Sequence, residues 1–451
     1  AHTIGDFSPY VFVSTNRGRN WRSISGDLPD GLIIWAIQQD HESENLLFIG
    51  AEDGAYFSTN RGENWHKIAG APTIAFRDIK LQRRDNDLVG ATFGRGVYIL
   101  DDYTALRSLS SQGFGKTASL FPVRDAWWYI PSAPSQAVGM PTLGSDSFAT
   151  PNPGFGASFT YYLNESLETG KQARKTKEAS LREEGNSIPF PGWDRLTAES
   201  LESEPRVMIR VSDNENNPVR WIEASAEKGI HRASWDLRLP APDAIDLTTP
   251  EFVPPWAGSP EGPLAAPGEY WAELFAFSGE RMRPLGKAQS FKVKPVRAAL
   301  NGADYAEIAA YRQKSSSLMR EVINAGEEIS RTQDLLRHMK VAAVRAPQAV
   351  PSLFARLDAF GVELSQLQTR LSGDPVRGRL NETSTPSIKG RAYNAANNSR
   401  STQVATETQK ADFDIAEKDF LAFAADLEAL LSGQLVQLEA DLAAAGAPSW
   451  R

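Results

Sequence analysis

Residues that could do chemistry are spread thinly along this 451-residue chain. It has no cysteine, which excludes disulfides, thiol catalysis and cysteine-type metal sites. Its five histidines are widely separated, and a metal site needs several donors that converge. No phosphate-binding glycine loop, metalloprotease helix, nucleophile elbow or EF-hand loop occurs. We therefore expect no metal site and no cofactor.

Carboxylates are plentiful, and a glycosidase needs only two of them at the right separation. Spacing along the chain does not select such a pair. Asp101 and Asp102 are adjacent, but neighbours on a strand point to opposite faces, so we expect them to mark the end of a strand. Arg77 and Arg95 are candidates for an anion site, although a sialidase-like site would need three convergent arginines. No catalytic residue is predicted, and an enzyme remains an alternative.

An aromatic triplet, Trp127, Trp128 and Tyr129, lies in a segment rich in Pro, Ser and Gly. Such rings could form a surface on which a sugar stacks. More often a cluster of this kind buries a connector against a neighbouring domain, because the rings cover a large area. Both interpretations are carried forward for these three residues.

Charge and hydropathy exclude two classes of partner. The formal net charge is −8 and the pI is about 5.4, so we expect no nucleic-acid binding. No apolar run reaches the roughly 20 residues that span a bilayer, which predicts no transmembrane segment. The chain starts at Ala1 within a strand-like pattern, which we interpret as a fragment or processed product of a bacterial protein outside the cytoplasm.

The elements that must position these residues include a repeat. Residues 14–21 read Ser-Thr-Asn-Arg-Gly-Arg-Asn-Trp, and residues 58–65 repeat them 44 positions later with one change, Arg19 against Glu63. Each copy follows an alternating strand, and a third strand begins at Gly96, 42 residues after Gly54. This period is that of one four-stranded propeller blade.

The residue types in the repeat suit one tight turn. A polar side chain at its start can bond the backbone that follows, glycine accepts positive φ, and tryptophan buries a large ring between adjacent sheets. The residues to which we assign this structural role are Ser14, Asn16, Gly18 and Trp21 in the first copy, and Ser58, Asn60, Gly62 and Trp65 in the second.

The repeated motif resembles the Asp-box, or BNR repeat, of sialidases, sortilin-type receptors and xyloglucan-cleaving propellers, with Asn16 and Asn60 where the usual motif has Asp. The run from Phe76 to Asp102 is similar to the last blade of large bacterial sortilin-like BNR proteins, which are often labelled glycosyl hydrolases. The resemblance extends to the C-terminal part, including Pro386–Arg391 and Ala447–Trp450. It implies a β-propeller whose Asp-box turns lie away from the central cavity. The remaining blades would come from an N-terminal part of the precursor or from another chain, because unpaired strand edges would otherwise be exposed.

Hydrophobic periodicity divides the rest of the chain. Residues 106–156 are predicted to be a linker packed on the surface. Residues 157–297 alternate as strands and predict a β-sandwich, which resembles immunoglobulin-like modules of bacterial surface proteins. Residues 298–451 carry three apolar stripes of helical period, which predict an antiparallel three-helix bundle with a long polar loop at 374–409. The predicted propeller blades occupy residues 1–105.

The fold class is therefore β plus α with several domains: a partial propeller, a sandwich and a helical bundle. The function that this favours is a non-catalytic extracytoplasmic binding or scaffolding protein with a protein or polysaccharide partner. One alternative is a glycoside hydrolase of sialidase or xyloglucanase type, with its active site mainly in blades absent from this chain. Another is an accessory subunit of a large envelope assembly, docked through the helical end.

Overall fold

The computed structural model describes residues 2–112, 118–131, 152–245, 247, 252–254, 259–279, 281–297, 302, 304–397 and 401–450. The chain forms two compact units. The first comprises Ala1–Arg124, Ser158–Ser234 and Tyr270–Phe291, and the second comprises Asp125–Ala157, Trp235–Glu269 and Lys292–Arg451. The predicted propeller blades thus lie wholly in the first unit and the predicted helical bundle in the second.

The N-terminal part is built from short antiparallel strands and ends in a helix. Its elements are β1 Phe12–Val13, β2 Arg22–Ser23, β3 Ile34–Gln39, β4 Leu47–Ala51, β5 Gly54–Ser58, β6 His66–Lys67, β7 Phe76–Gln82, β8 Asp87–Thr92, β9 Val97–Leu100 and α1 Thr104–Gln112. The sheets run β1-β2, β3-β4-β5-β6 and β7-β8-β9, each in sequence order. The four-stranded sheet and the three-stranded sheet therefore repeat the same up-and-down order, the second without a fourth described strand.

Strand β4 is buried on both faces, which explains its continuous apolar sequence. Leu47 and Ile49 pack in one cluster with Trp65 and residues of the first hairpin. On the opposite face, Phe48 packs in a second cluster with Ile79 of β7 and with residues of α1. The sheet that contains β4 is thus enclosed between the preceding hairpin and the following sheet.

Two glycines allow the two larger sheets to approach closely. A Cβ at Gly50 of β4 would lie 2.5 Å from the carbonyl oxygen of Phe76, and one at Gly90 of β8 would lie 2.6 Å from the Phe76 ring. Real side chains do not tolerate such distances, so the ring of Phe76 fits only because both positions lack a side chain. This contact fixes the separation of β3 and β7.

A buried ionic cluster attaches α1 to the hairpin that follows β3. Asp40 accepts hydrogen bonds from Arg107 Nε and Nη2 at 2.7 and 2.8 Å and from the Tyr103 hydroxyl at 2.8 Å. Asp102, the second of the two adjacent aspartates, accepts hydrogen bonds from the backbone N–H and the hydroxyl of Thr104, the first residue of α1. Burial alone would raise the pKa of Asp40, but the bonds from Arg107 and Tyr103 outweigh it and lower that pKa to about 2.

The middle of the chain forms two further sheets. Its elements are β10 Ala118–Leu120, β11 Ala126–Trp128, β12 Ala157–Leu163, α2 Gly170–Glu183, α3 Trp193–Leu201, β13 Arg206–Asp213, β14 Pro218–Ala224, β15 Gly229–Trp235, β16 Gly268–Ser278, β17 Arg281–Pro284 and β18 Gln289–Pro295. One sheet has the order β10-β12-β15, and the other has the order β11-β18-β16-β13-β14, with β17 on β16. Residues 157–297 thus contain the strands that their alternation predicts, β12 to β18.

The predicted linker differs from what the structure shows. Residues 106–112 continue α1, β10 pairs with β12, and β11 pairs in parallel with β18, so parts of this segment are regular elements of the sheets. The alternation that predicts strands cannot be detected in runs of three residues, because a period of two needs four or more residues to show. Residues 113–117 and 132–151 of the linker lie outside the described residues.

The C-terminal part is helical, as the apolar stripes predict. Its elements are α4 Tyr305–Arg345, α5 Pro351–Ser372, α6 Pro375–Arg379, α7 Ile388–Ala396, α8 Glu407–Ala429, a π-helical turn Leu430–Leu435 and α9 Val436–Ala444. Residues of all three predicted stripes share one buried cluster. The predicted polar loop differs from the structure, because α6, α7 and the first turn of α8 lie within 374–409. Ile388, Ala392 and Ala395 of α7 are buried in the same cluster, so α7 is a fourth packed helix.

By length and composition alone, the helical run Glu407–Ala444 could cross a membrane. Its phenylalanines Phe413, Phe420 and Phe423 are buried in the bundle core, where they already have apolar partners. A core helix passes the same length and composition test, so this run is weak support for a membrane span.

Replacing Asp40 with asparagine is expected to lower the free energy of unfolding by about 3 kcal/mol, because it removes the buried partner of Arg107. The folded pKa of Asp40 lies below its unfolded value, so its contribution is present above about pH 4 and is lost as the pH falls towards 2. Urea unfolding between pH 2 and 7 should show the difference between wild type and Asp40→Asn shrinking in acid. Glu44→Gln, which changes an exposed ion pair of the same hairpin with Arg61, should cost less than about 1 kcal/mol at every pH. An equal loss in both variants would contradict a special role for the buried cluster.

Candidate ligand-binding face

Two β-bulges at equivalent positions project side chains from the first strands of the two larger sheets. The register of β3 with β4 shifts between Ile34 and Ala36, which places Trp35 in the bulge. The register of β7 with β8 shifts in the same way between Phe76 and Asp78, which places Arg77 in the bulge. The two bulged residues are 42 positions apart, the same spacing as Gly54 and Gly96. A bulge redirects a side chain out of the regular alternation, and bulges are frequent beside functional sites.

The redirected side chains stack on one another. The guanidinium carbon of Arg77 lies 3.6 Å from the centre of the Trp35 ring and 5.1 Å from that of Phe93. Phe93 follows β8, where its backbone N–H donates to Ala75 O at 2.9 Å. The arginine is thus held between two aromatic rings, in an arrangement that combines cation–π attraction with stacking.

Glu52 completes this cluster from the turn between β4 and β5. Its Oε2 accepts a 2.7 Å hydrogen bond from the Trp35 indole N–H and lies 3.9 Å from Arg77 Nη2. The adjacent Asp53 is engaged elsewhere, by the Tyr56 hydroxyl and by Lys67 Nζ at 2.8 Å. Glu52 is therefore the carboxylate of this turn that orients the indole. We call Trp35, Glu52, Arg77 and Phe93 the stacked cluster.

The stacked cluster is accessible to solvent. The side chains of Arg77 and Glu52 are about half exposed, and Phe93 is 67 % exposed. A stacked guanidinium keeps its in-plane N–H donors free to bind oxygen atoms, while an exposed ring offers an apolar face. The arrangement provides a donor, an acceptor and a ring on one surface, which are the groups that bind a hydroxylated ring compound.

The predicted anion site is only partly assembled. Arg77 belongs to the stacked cluster, whereas Arg95 lies exposed in the turn between β8 and β9 and has no described contact with Arg77. Sequence reasoning did not identify Trp35, Glu52 or Phe93. The aligned repeats contain a clue, since Trp35 and Arg77 occupy the same offset, but a bulge becomes visible only when the partner strand is paired.

The residues of the two repeated motifs form two nearly identical turns. In the first, Ser14 Oγ accepts from Gly18 N at 2.7 Å and Asn16 Oδ1 accepts from Asn20 N at 2.8 Å. The corresponding bonds in the second are Gly62 N to Ser58 Oγ at 2.8 Å and Asn64 N to Asn60 Oδ1 at 2.9 Å. Gly18 and Gly62 have φ values of 81° and 86°. Asparagine therefore serves where the usual motif has Asp, because the carbonyl oxygen of its amide accepts the same backbone bond.

The tryptophans of the two boxes differ. Trp65 is 7 % exposed, and its indole N–H donates to Ile24 O at 3.0 Å, while its backbone N–H donates to Asp27 at 2.7 Å. Trp21 is 64 % exposed, and its indole N–H only closes its own turn on Gly18 O. The expectation that both rings are buried between sheets is therefore wrong for Trp21. The physical reason is that Trp65 covers residues of the preceding repeat, and the described residues contain no such repeat before Trp21.

The aromatic triplet does not form one platform. Trp128 is 4 % exposed, donates to Ala265 O at 2.9 Å and meets the Tyr305 ring edge-on. Trp127 is 58 % exposed, because successive residues of β11 point to opposite faces. Tyr129 packs edge-on against Phe155. Of the two predicted roles, Trp128 has that of a buried anchor. Because its ring is buried, the three rings cannot bind one ligand together.

Among the residues that the structure describes, no group of three histidines, aspartates or glutamates could hold a metal ion. His231 instead contacts the Glu227 carbonyl at 2.7 Å and the Tyr161 ring.

Comparison with known proteins adds little. No family model matches the chain, and no curated protein is similar to it. One similar solved structure is described as the extracellular domain of a hybrid two component system from B. thetaiotaomicron, with 11 % identity over 63 % of this chain and a TM-score of 0.18. This chain spans 29 % of that one. A likeness at this level carries no argument about fold or function.

Removing the two box tryptophans should have unequal effects. Trp65→Ala is expected to lower the free energy of unfolding by roughly 3–5 kcal/mol, because it opens a cavity over Ile24. Trp21→Ala should change it by less than about 1 kcal/mol, because that ring is mostly in water. Urea unfolding followed by far-UV circular dichroism measures both. Equal losses would show that the two boxes have the same packing.

Proposed function

We propose that this chain is a non-catalytic binding protein of the bacterial exterior or periplasm that recognises a polysaccharide through the stacked cluster. The observation that carries the proposal is the bulge-directed stack of Trp35, Arg77 and Phe93 with Glu52 on one exposed surface. Sugars present C–H faces that pack on rings and hydroxyls that both donate and accept. The exposed ring, the guanidinium and the carboxylate match these three features.

We further propose that residues 1–105 are blades of a β-propeller, followed along the chain by immunoglobulin-like and helical modules. Support comes from the repeated strand order, the equivalent bulges and the enclosure of β4 between successive layers. In this arrangement the bulges lie at the starts of the innermost strands, at the opposite end of each sheet from the Asp-box turns. The stacked cluster would then lie on the face of the ring where propellers bind ligands.

Exposed apolar residues at the two ends of this N-terminal region favour the presence of additional blades. Trp21 is exposed where Trp65 is covered, and β9 exposes Val97 and Ile99 where the equivalent strand β5 is fully buried and pairs with β6. Exposed apolar residues on an edge strand are a liability that folded proteins normally cover. The missing blades, from the N-terminal part of the precursor or from another chain, would cover both sides.

The alternative of a glycoside hydrolase has one residue in its favour, because Glu52 lies within the stacked cluster. Its Oε2 is bound by the Trp35 indole and lies 3.9 Å from Arg77 Nη2. A glycosidase needs two carboxyl groups that flank the scissile bond, and Glu52 is the one carboxylate of the stacked cluster. The described residues therefore favour binding over catalysis.

Binding is tested with the full chain and a panel of soluble neutral and acidic polysaccharides, by affinity electrophoresis and calorimetry. Trp35→Ala and Arg77→Ala are expected to weaken binding about five- to thirtyfold, since each removes about 1–2 kcal/mol of stacking. The matched controls are Trp21→Ala, which removes another exposed indole, and Arg84→Ala, which removes an exposed arginine of the β7–β8 hairpin. Absence of binding by the wild-type chain, or equal weakening in the controls, would contradict the proposal. Release of shorter saccharides that Glu52→Gln abolishes would establish the hydrolase instead.

The open side beside Trp21 is tested by oxidation of exposed indoles with N-bromosuccinimide, followed by peptide mass mapping. Trp21 is expected to react early and Trp65 only after unfolding, because their exposures are 64 % and 7 %. If Trp21 resists oxidation as Trp65 does, this chain already covers it and needs no additional blade on that side.

A further inference from the structure

A buried arginine in the helical unit lacks a carboxylate partner. Arg312 of α4 is 4 % exposed, and none of the described acidic residues forms an ion pair with it. Its Nη2 donates to the carbonyls of Ser401 and, at 3.3 Å, of Gln403, whereas its Nε–H has no hydrogen-bond partner. A buried cation that is bound only by neutral carbonyls is incompletely compensated.

A second orphaned donor lies one helical turn away. Ser316 is 6 % exposed, and its Oγ also lacks a partner. Residues four apart lie on the same face of a helix, so both groups are directed to one place. Arg312 and Ser316 line a common cavity of about 50 Å³, together with Leu264, Pro263 and Ala396. Buried polar groups are normally hydrogen-bonded, so two such groups without partners beside one cavity indicate a ligand or an ordered water.

The charges around this cavity favour an anion. Glu261 also lines it, but that carboxylate pairs with Arg238 Nη2 at 2.8 Å. Arg238 further donates to Gly262 O at 2.9 Å. Burial, and secondarily repulsion from Arg238, lower the pKa of Arg312 to about 10. An arginine nevertheless stays protonated near neutral pH, so one positive charge remains without a partner among the described residues.

The small cavity shares three lining residues with a larger one. Pro242, Glu261 and Ala396 border both, and the larger cavity has a volume of about 650 Å³. The lining of the larger cavity is mixed. Its large apolar side chains are Ile130, Phe155, Met319 and Ile323, and its polar or charged residues are Asp236, Arg238, Asp243, Ser259, Glu261, Tyr393 and Asn397. A molecule with an anionic end at Arg312 and a body that packs on the apolar side chains would match this lining.

We propose that these two cavities bind a small organic acid, whose carboxylate accepts hydrogen bonds from Arg312 Nε and Ser316 Oγ while its apolar body occupies the larger chamber. A planar carboxylate has two oxygens with free lone pairs and can satisfy both donors at once. The site shares no residue with the stacked cluster, so it is a second binding site that does not depend on polysaccharide recognition.

The experiment titrates the full chain with acetate, benzoate and octanoate by calorimetry and thermal unfolding, with chloride and inorganic phosphate as comparison anions. We expect saturable binding that tightens from acetate to the two acids with apolar bodies. Ser316→Ala should weaken binding about tenfold, and Arg312→Gln should abolish it. The matched controls are Ser315→Ala, a buried serine whose hydroxyl is already bonded to Arg312 O, and Arg320→Gln, an exposed arginine two turns along α4.

Since Arg312 also holds two carbonyls, its replacement can unfold the bundle, and Ser316→Ala then decides the outcome. Binding that Ser315→Ala weakens as much as Ser316→Ala would overturn the proposal. So would unfolding temperatures that do not depend on carboxylate concentration, since a cavity that takes only water gives no such dependence. Equal affinity for chloride and for all three acids would overturn the assignment to an organic acid.

Discussion

The close contact of Phe76 with two glycines controls the geometry of the N-terminal region. Its carbonyl meets Gly50 of one sheet and its ring meets Gly90 of its own sheet at distances that no side chain would permit. Because the sheets approach this closely, β3 and β7 lie side by side and their bulged residues meet. The stacked cluster therefore depends on the close packing of Phe76 against Gly50 and Gly90. A larger residue at either glycine would displace Phe76 and so separate Trp35 from the neighbouring Arg77.

Each repeat of the N-terminal region also depends on contacts with its neighbour. The box around Trp65 is complete only because Ile24 and Asp27 of the preceding repeat accept from it. In the same way, β5 is buried because β6 and the following layer cover it. Each repeat thus stabilises the next through contacts of the same kind, as in other repeat architectures. The first and last repeats among the described residues expose surfaces that are buried between neighbouring repeats.

The helical part of the chain buries two polar side chains beside its apolar core. The stripes on α4, α5 and α8 meet in one apolar cluster. Arg312 and Ser316 interrupt the buried side of α4 near its N-terminal end, away from the central part of that cluster. A bundle that needed only stability would place apolar residues there, since replacing buried charge with packed apolar groups is often neutral or stabilising. The polar pair therefore has a cost in stability that the bundle itself does not require.

The sequence by itself determined the order of elements. The 44-residue repeat, the alternating strands and the three apolar stripes gave the β-rich start, the strands of the middle region and the long helices, because each reflects a local period of side-chain burial. It also determined the box turns, whose bonds are made within a few residues. Strands of three residues, such as β10 and β11, are too short to show a period of two. The polar residues around α7 predict a loop, although α7 is a packed helix.

Only the tertiary structure decided which residues meet. Trp35, Glu52, Arg77 and Phe93 come from four separate places, and their contact depends on two bulges and on the separation of two sheets. The different exposures of Trp21 and Trp65 cannot be predicted from the sequence either, because the two motifs are nearly identical and differ in what packs over them. Local periods are properties of neighbouring residues, whereas burial of a given ring or cation depends on elements distant in the chain, and no local pattern records that.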